Sequence, residues 1–283
     1  MTIARTELDD VERANRSGVQ PVVLVHGLWM PAGSWLPWRG YLEEYDYATI
    51  APRWPGEQDS TEEARARPDS MAGLGTRAVA DHIAEIVAAL DRKPVLVGHS
   101  VGGLVVQMLA GAGLARATVA IAPSPFRGVR PLPASTVRAL FPVLRSPANR
   151  SRSVMLSESQ FRFVFGNAVS AHESRRMYDE LCMPAPGLPL FEAATANLDP
   201  RTPLKVDTRN PDRGPLMVIS GEKDNVVPWT MSHAAYRLQS GNPCPTEITE
   251  APDRGHSLAA DPGWRVVADN ALMFLHRHGI TAA

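Results

Sequence analysis

The segment PVLVGHSVGG, residues 94–103, constrains this chain more than any other stretch of its length. Its first half is a continuous apolar, β-branched run, the pattern of a strand buried on both faces. Immediately behind it Val101, Leu104, Val105, Met108 and Leu109 recur at helical spacing. Strand and helix meet at Gly98-His99-Ser100-Val101-Gly102, a G-x-S-x-G turn. A turn this tight strains its central residue and projects that side chain from the rim of the sheet. Two residues to either side, the backbone passes so near its neighbours that only a hydrogen fits. The segment therefore predicts a parallel sheet covered on both faces, with a serine hydroxyl at its edge.

The rest of the chain agrees with that architecture. Further strands are predicted at 21–27, 48–52, 117–123, 215–221 and 246–252, and the PVLVGHS strand spans 94–100. Between them lie amphipathic helices. One starts behind Ser34 as N-cap and carries Trp35, Trp38, Leu42 and Tyr45. One carries Val79, Ile83, Ile86, Val87 and Leu90 and ends near Asp91. One spans roughly 229–239, and the last carries Trp264, Val267, Ala271 and Leu275. Strand–helix alternation of this kind means an α/β fold with a mostly parallel central sheet flanked by helices. The alternation stops at residues 124–213, which hold eleven prolines and helical patterns near 135–145, 152–165, 170–182 and 189–198. A structureless loop of that length is implausible in a compact domain. The chain thus divides into a core of residues 1–123 and 214–283 and an inserted helical lid, 124–213. Placed after a strand's carboxyl end, the insertion covers the face where parallel sheets bind ligands.

A serine hydroxyl becomes a nucleophile only with a base, itself oriented by a third group. His256, in a loop between the last strand and the last helix, falls at the same sheet edge as Ser100. The other histidines lie in helices, in the insertion or beside the turns. For the acid, Asp224 in GEKDNVVP follows the carboxyl end of a strand, with Glu222 as the alternative. The preceding strand ends in Ala122-Pro123-Ser124, with no carboxylate. A developing oxyanion needs donors already in place. Val101, first in the helix, offers one backbone N–H. Leu28, in the His26-Gly27-Leu28-Trp29 turn where Gly27 permits a sharp bend, offers the other.

The His-Gly turn after the first strand, GHSVG, SGEKDNVVP and RGH, in that order, resemble the α/β-hydrolase superfamily, whose triads run Ser, acid, His. The resemblance covers nearly the whole chain and implies the α/β-hydrolase fold with a lid. By position it implies Ser100 as nucleophile, Asp224 as acid, His256 as base, and Leu28 and Val101 as oxyanion donors. Two features depart from the pattern. The polar first 20 residues are too few for the strand pair that often opens this fold, which leaves six strands. The loop after the second strand reads RWPGEQDS, where many members carry Gly-x-Gly-x-Ser.

Serine at position 100 separates the chain from branches with an aspartate nucleophile, such as haloalkane dehalogenases and epoxide hydrolases. The expected reaction is hydrolysis of a small to medium, largely apolar carboxylic ester or lactone through an acyl-enzyme. The alternatives are carbon–carbon bond hydrolysis, perhydrolysis or cyanohydrin cleavage by the same triad, or a ligand receptor without turnover. Pocket candidates are Trp29, His99 and Trp54, with Phe161 and Phe165 from the insertion. Two cysteines in 283 residues leave no disulfide framework or cysteine zinc site, and no cluster of histidines and carboxylates has metal-ligand spacing. No cofactor is expected. A formal charge of −1 argues against nucleic acid or a polybasic membrane anchor as partner. The polar start carries no signal peptide, so the expectation is a cytoplasmic protein, monomeric or homodimeric.

Overall fold

The computed structural model describes residues 3–283. Six strands, β1 (Pro21–Val25), β2 (Ala48–Ile50), β3 (Val95–His99), β4 (Ala117–Ile121), β7 (Leu216–Gly221) and β8 (Thr246–Ala251), build the central sheet. They are ordered β2-β1-β3-β4-β7-β8, and every pairing is parallel. Each predicted strand is present; β7 ends at Gly221 as predicted, and the others end a residue or two early, where the backbone leaves the ladder for a loop at the carboxyl edge. The order reverses between β1 and β3, so a crevice opens beyond their carboxyl ends. Val25 pairs with Gly98, which sets the turn after β1 beside the turn after β3.

Apolar residues on alternate positions of the strands feed two separate cores. Val23, Val25 and Leu96 face α4 (Thr76–Ala88), α5 (Val101–Gly111) and α10 (Trp229–Gln239). Val22, Leu24, Val95 and Val97 face α2 (Leu36–Glu43) and α11 (Trp264–Arg277). Ser34 does not cap α2. It sits inside a single 3-10 turn, Ala32–Trp35, and α2 starts at Leu36 with Pro37 in its first turn, where the missing N–H costs nothing. The helix expected to end near Asp91 stops at Ala88.

The polar N-terminal stretch forms α1 (Arg5–Ser17), ended by Gly18 at φ 68°. It buries only Val11, Ala14 and Glu7, so its apolar stripe is narrow. The Glu7 carboxylate accepts the Ala4 N–H at 2.9 Å and the Arg53 N–H at 3.1 Å, and lies 3.2 Å from His82 Nε2 on α4. Burial alone would raise its pKa. The hydrogen bonds and the nearby His82 outweigh burial and hold the group below its usual value.

A short α3 (Thr61–Ala66) follows β2, and residues 124–213 carry the remaining helices: α6 (Ala134–Leu144), α7 (Glu158–Val164), α8 (Ala171–Leu181) and α9 (Leu188–Thr195). A short antiparallel pair, β5 (Ser153–Val154) with β6 (Ala185–Pro186), joins them. Val143, Phe161, Phe165 and Leu190 from this segment belong to the same apolar cluster as Val25, Leu96 and Leu104. The segment is thus packed into one of the two cores and has no separate core of its own. Cys182 and Cys244 are both free thiols, and burial pushes Cys182 up to about 12. Among the described residues, no helix is long and apolar enough to cross a membrane.

One buried charge ties the second half of the sheet together. Arg213, fully buried ahead of β7, has no carboxylate within ion-pair distance among the described residues. It donates instead to Gly214 O, Gln239 Oε1, Cys244 O, Pro245 O and Thr246 Oγ1 at 2.9–3.1 Å. Gln239 in turn donates to Gln107 on α5 at 3.1 Å. Burial lowers the guanidinium to about 10, which still leaves it charged at neutral pH.

Arg213→Met should lower unfolding free energy by about 3 kcal/mol or more, since each buried acceptor left without a donor costs ~1–3 kcal/mol. Urea denaturation at pH 7 would measure it. Glu7 gives a pH signature. A carboxyl whose folded pKa is depressed contributes stability that is complete above the unfolded value and lost as pH falls through the folded one. The Tm difference between wild type and Glu7→Gln should therefore be largest near neutral pH and shrink on acidification, as read by calorimetry across that range.

Candidate active site

The site starts from the β3–α5 turn. Ser100 holds φ 56° and ψ −118°, a left-handed conformation costly for any residue but glycine. The surroundings impose it. Ser100 N–H donates to Ile121 O at 3.0 Å, and its carbonyl accepts from Leu104 and Ser124 at 3.1 and 2.9 Å. A Cβ on Gly98 would lie 2.3 Å from the Gly102 carbonyl oxygen, and one on Gly102 would lie 2.2 Å from that of Val25. Both obstacles are backbone, so neither can yield.

Three distant segments meet at this serine. His256, in the loop after β8, places Nε2 3.0 Å from Ser100 Oγ. Its Nδ1 lies 2.7 Å from Asp224 Oδ2, in the loop after β7. A carboxylate only accepts, so Nδ1 carries the hydrogen and Nε2 is left to receive the serine proton. Asp224 is itself fixed: Oδ1 accepts the Val226 and Val227 N–H groups at 2.7 and 2.8 Å. The alternative acid, Glu222, instead accepts the Asp253 N–H at 2.7 Å on the rim. All three residues of the Ser100–His256–Asp224 relay are buried.

The turn after β1 lies against the serine. Gly27 does not have a positive φ; the left-handed residue of this turn is Trp29, at φ 65°. Gly27 is required for another reason, since a Cβ there would lie 2.7 Å from Ser100 Cβ. Leu28 and Val101 flank the serine in the wall of one cavity, and neither backbone N–H donates to an acceptor among the described residues.

That cavity has a volume of about 300 Å³ and reaches Ser100 and His256. Its wall is mostly apolar: Trp29 from the β1 turn, Leu140 and Leu144 from α6, Leu190 from α9 and Val226 from the acid loop. Leu132 and Phe141 line it while remaining largely solvent-exposed, which marks its opening.

Of the five aromatic pocket candidates, only Trp29 lies on this wall. His99 is buried behind the triad and its Nε2 donates to the His256 carbonyl at 2.8 Å. Burial, with His256 beside it, holds His99 well below its usual pKa, so it is neutral at neutral pH. Trp54 stacks on His26 beneath the β1 turn, with ring centroids 4.7 Å apart. Phe165 packs its ring on that of His256 at 5.3 Å, and Phe161 stacks on Phe165 at 5.0 Å. These large rings spend their surface holding the site together, and smaller aliphatics form the cavity. The α6 stripe of Thr136, Leu140 and Leu144, four residues apart, was the readable signal for that wall. Sequence reasoning also missed Glu57, a buried carboxylate whose side chain lies 2.8 Å from His26 Nε2. No spacing pattern marks it.

The alpha/beta hydrolase family profile matches residues 22–269. The chain belongs to that family. Its fold is similar to a monoacylglycerol lipase from Paleococcus ferrophilus, with TM-score 0.64 and 21% identity over 91% of this chain and 94% of the other. It is also similar to an extracellular alpha/beta-hydrolase from a Paenibacillus species, with TM-score 0.64 and 18% identity over 90% and 98%. A methylesterase from Arabidopsis gives TM-score 0.64 and 15% identity over 92% and 100%. No curated protein matches by sequence.

The turn geometry gives a direct test. Gly102→Ala must displace either β1 or α5, so the variant should lose soluble, folded protein, seen as a collapsed yield and a strongly lowered Tm against wild type.

Proposed function

We propose that this chain is a serine hydrolase that cleaves a carboxylic ester or lactone of a small to medium, largely apolar substrate through an acyl-enzyme. One observation carries the reading: Ser100 Oγ, 3.0 Å from an imidazole that is 2.7 Å from a buried carboxylate, opens into an apolar cavity. In this mechanism Ser100 Oγ attacks the acyl carbon while His256 Nε2 takes its proton. The carbonyl π electrons move onto oxygen, which the Val101 and Leu28 N–H groups would receive. Asp224 holds the imidazole in the productive tautomer and stabilises the cation that forms. Collapse of the tetrahedral adduct expels the alcohol, protonated by His256. Water, deprotonated by the same nitrogen, then attacks the acyl-enzyme and releases the acid.

Further support comes from the family and from structural neighbours described as a monoacylglycerol lipase and a methylesterase. The cavity fits the apolar part of the proposal. A volume of about 300 Å³ sits at the lower end of small-molecule pockets, which argues for a compact acyl group.

Ser100→Ala should lower kcat for p-nitrophenyl butyrate by about a thousand-fold or more, and Asp224→Asn on the order of 10⁴-fold through the wrong tautomer. A fluorophosphonate probe should add its mass to the wild type and not to Ser100→Ala. A folded Ser100→Ala variant with undiminished turnover would overturn the proposal.

A further inference from the structure

A second buried acid–imidazole pair lies beneath the β1 turn, outside the Ser100 relay. His26 and Glu57 side chains are each 1% exposed, with Nε2 2.8 Å from Oε2. Glu57 stands in the RWPGEQDS loop after β2, the segment that departs from the family pattern. Its two oxygens are fully engaged. Oε1 accepts the Ala32 N–H at 2.8 Å, and Oε2 accepts the Trp54 N–H at 2.9 Å while facing His26. On the other side of the ring, His26 Nδ1 donates to the Gly27 carbonyl at 2.9 Å. Trp54 closes the arrangement by stacking on the imidazole.

One carboxylate therefore touches both ends of a short segment: it hydrogen-bonds Ala32 after it and lies 2.8 Å from His26 Nε2 before it, a contact without hydrogen-bond alignment. Between those anchors lie Gly27, Leu28 and the left-handed Trp29. A non-glycine residue in that conformation persists only where its surroundings over-determine it. Leu28, whose N–H has no partner among the described residues, is next to it. Burying two ionisable groups is costly, and an apolar pair could fill the same space at less expense. An apolar pair could not accept two backbone N–H groups in fixed directions. What the ionisable pair adds is orientation of the turn.

We infer that Glu57 is a positioning residue: through its hydrogen bond to Ala32 and its close packing against His26 it holds the 27–31 turn so that the Leu28 N–H is aimed at the oxyanion position before substrate arrives. The inference rests on the hydrolase reading above. It goes beyond that reading by assigning the oxyanion hole a support that acts without touching substrate. Donor placement matters most in the transition state, where the charge on oxygen develops. Disturbing it should thus act on kcat and spare ground-state binding.

The test is Glu57→Gln, which keeps size and shape but gives up the charge and one acceptor. With p-nitrophenyl butyrate, kcat should fall roughly ten- to a hundred-fold with KM within two-fold, less than the 10²–10³-fold expected for outright loss of an oxyanion donor. Affinity for a trifluoromethyl ketone, which forms a tetrahedral adduct on Ser100, should fall in parallel. Affinity for the corresponding unreactive methyl ether should not. Glu57→Asp, which retains the charge on a shorter arm, should recover part of the kcat loss, and it serves if Glu57→Gln does not fold. Wild-type kcat in a folded variant, or equal losses of both inhibitors' affinity, would overturn the inference and leave the hydrolase reading intact. A wild-type chain that turned over no ester would instead overturn the hydrolase reading, and this inference with it.

Discussion

Everything at this site depends on how closely β1 and β3 run. Their parallel ladder pairs Val25 with Gly98, and beyond it two turns leave the sheet side by side with no room for a Cβ between them. The approach fixes the serine in its left-handed conformation and places the turn that carries Leu28 against it. The hydrogen bond that Ser100 N–H donates to Ile121 O, and the one its carbonyl accepts from Ser124, bring β4 into the same arrangement. The remaining members arrive from β7 and β8, whose loops have only to reach the rim already defined. Asp224 is locked by two backbone N–H groups, and His256 is held by its carbonyl bond to His99 and by the Phe165 ring.

Electrostatics divides the site into two regions with different duties. Around Ser100 the polar groups face a cavity, with the imidazole between a hydroxyl and a carboxylate. Beneath the β1 turn, His26 and Glu57 face only protein. A third pair, Glu7 with His82, docks α1 and reaches the Arg53 backbone just ahead of Trp54. The loop after β2 is thus gripped at its start by Glu7 and at its end by Glu57. Such buried pairs add little net stability over apolar packing. What each carboxylate does here is accept backbone N–H groups in fixed directions, Ala4 and Arg53 for Glu7, Ala32 and Trp54 for Glu57.

What could be read from the sequence was local. The six strands, the β3–α5 turn and the chain order of Ser100, Asp224 and His256 each follow from a short run with a steric or chemical reason behind it. The four helices of the insertion were visible as helical patterns, although the one expected near 152–165 starts only at Glu158, behind the strand Ser153–Val154. Less legible was α1, because its buried face is two small apolar residues and a glutamate, which reads as a polar tail. Of the rings proposed for the cavity wall only Trp29 lines it. Trp54, Phe161 and Phe165 look like pocket residues in isolation, yet Trp54 stacks on His26, Phe165 packs against His256 and Phe161 stacks on Phe165. Glu57 was illegible for a related reason: a carboxylate in a loop is ordinarily solvated, and only the folded chain shows that this one is enclosed.

The joining of residues 124–213 to the sheet's own apolar cluster bears on molecular traffic. Swinging the whole segment aside would peel Phe165 from the imidazole, strip the indole N–H of Trp29 from the Val154 carbonyl and wet a face continuous with Val25 and Leu96. Entry through the gap flanked by Leu132 and Phe141 asks only for rotamer changes in two side chains already in water. The mouth at Leu132 and Phe141 is thus the way to the serine that leaves this shared core closed.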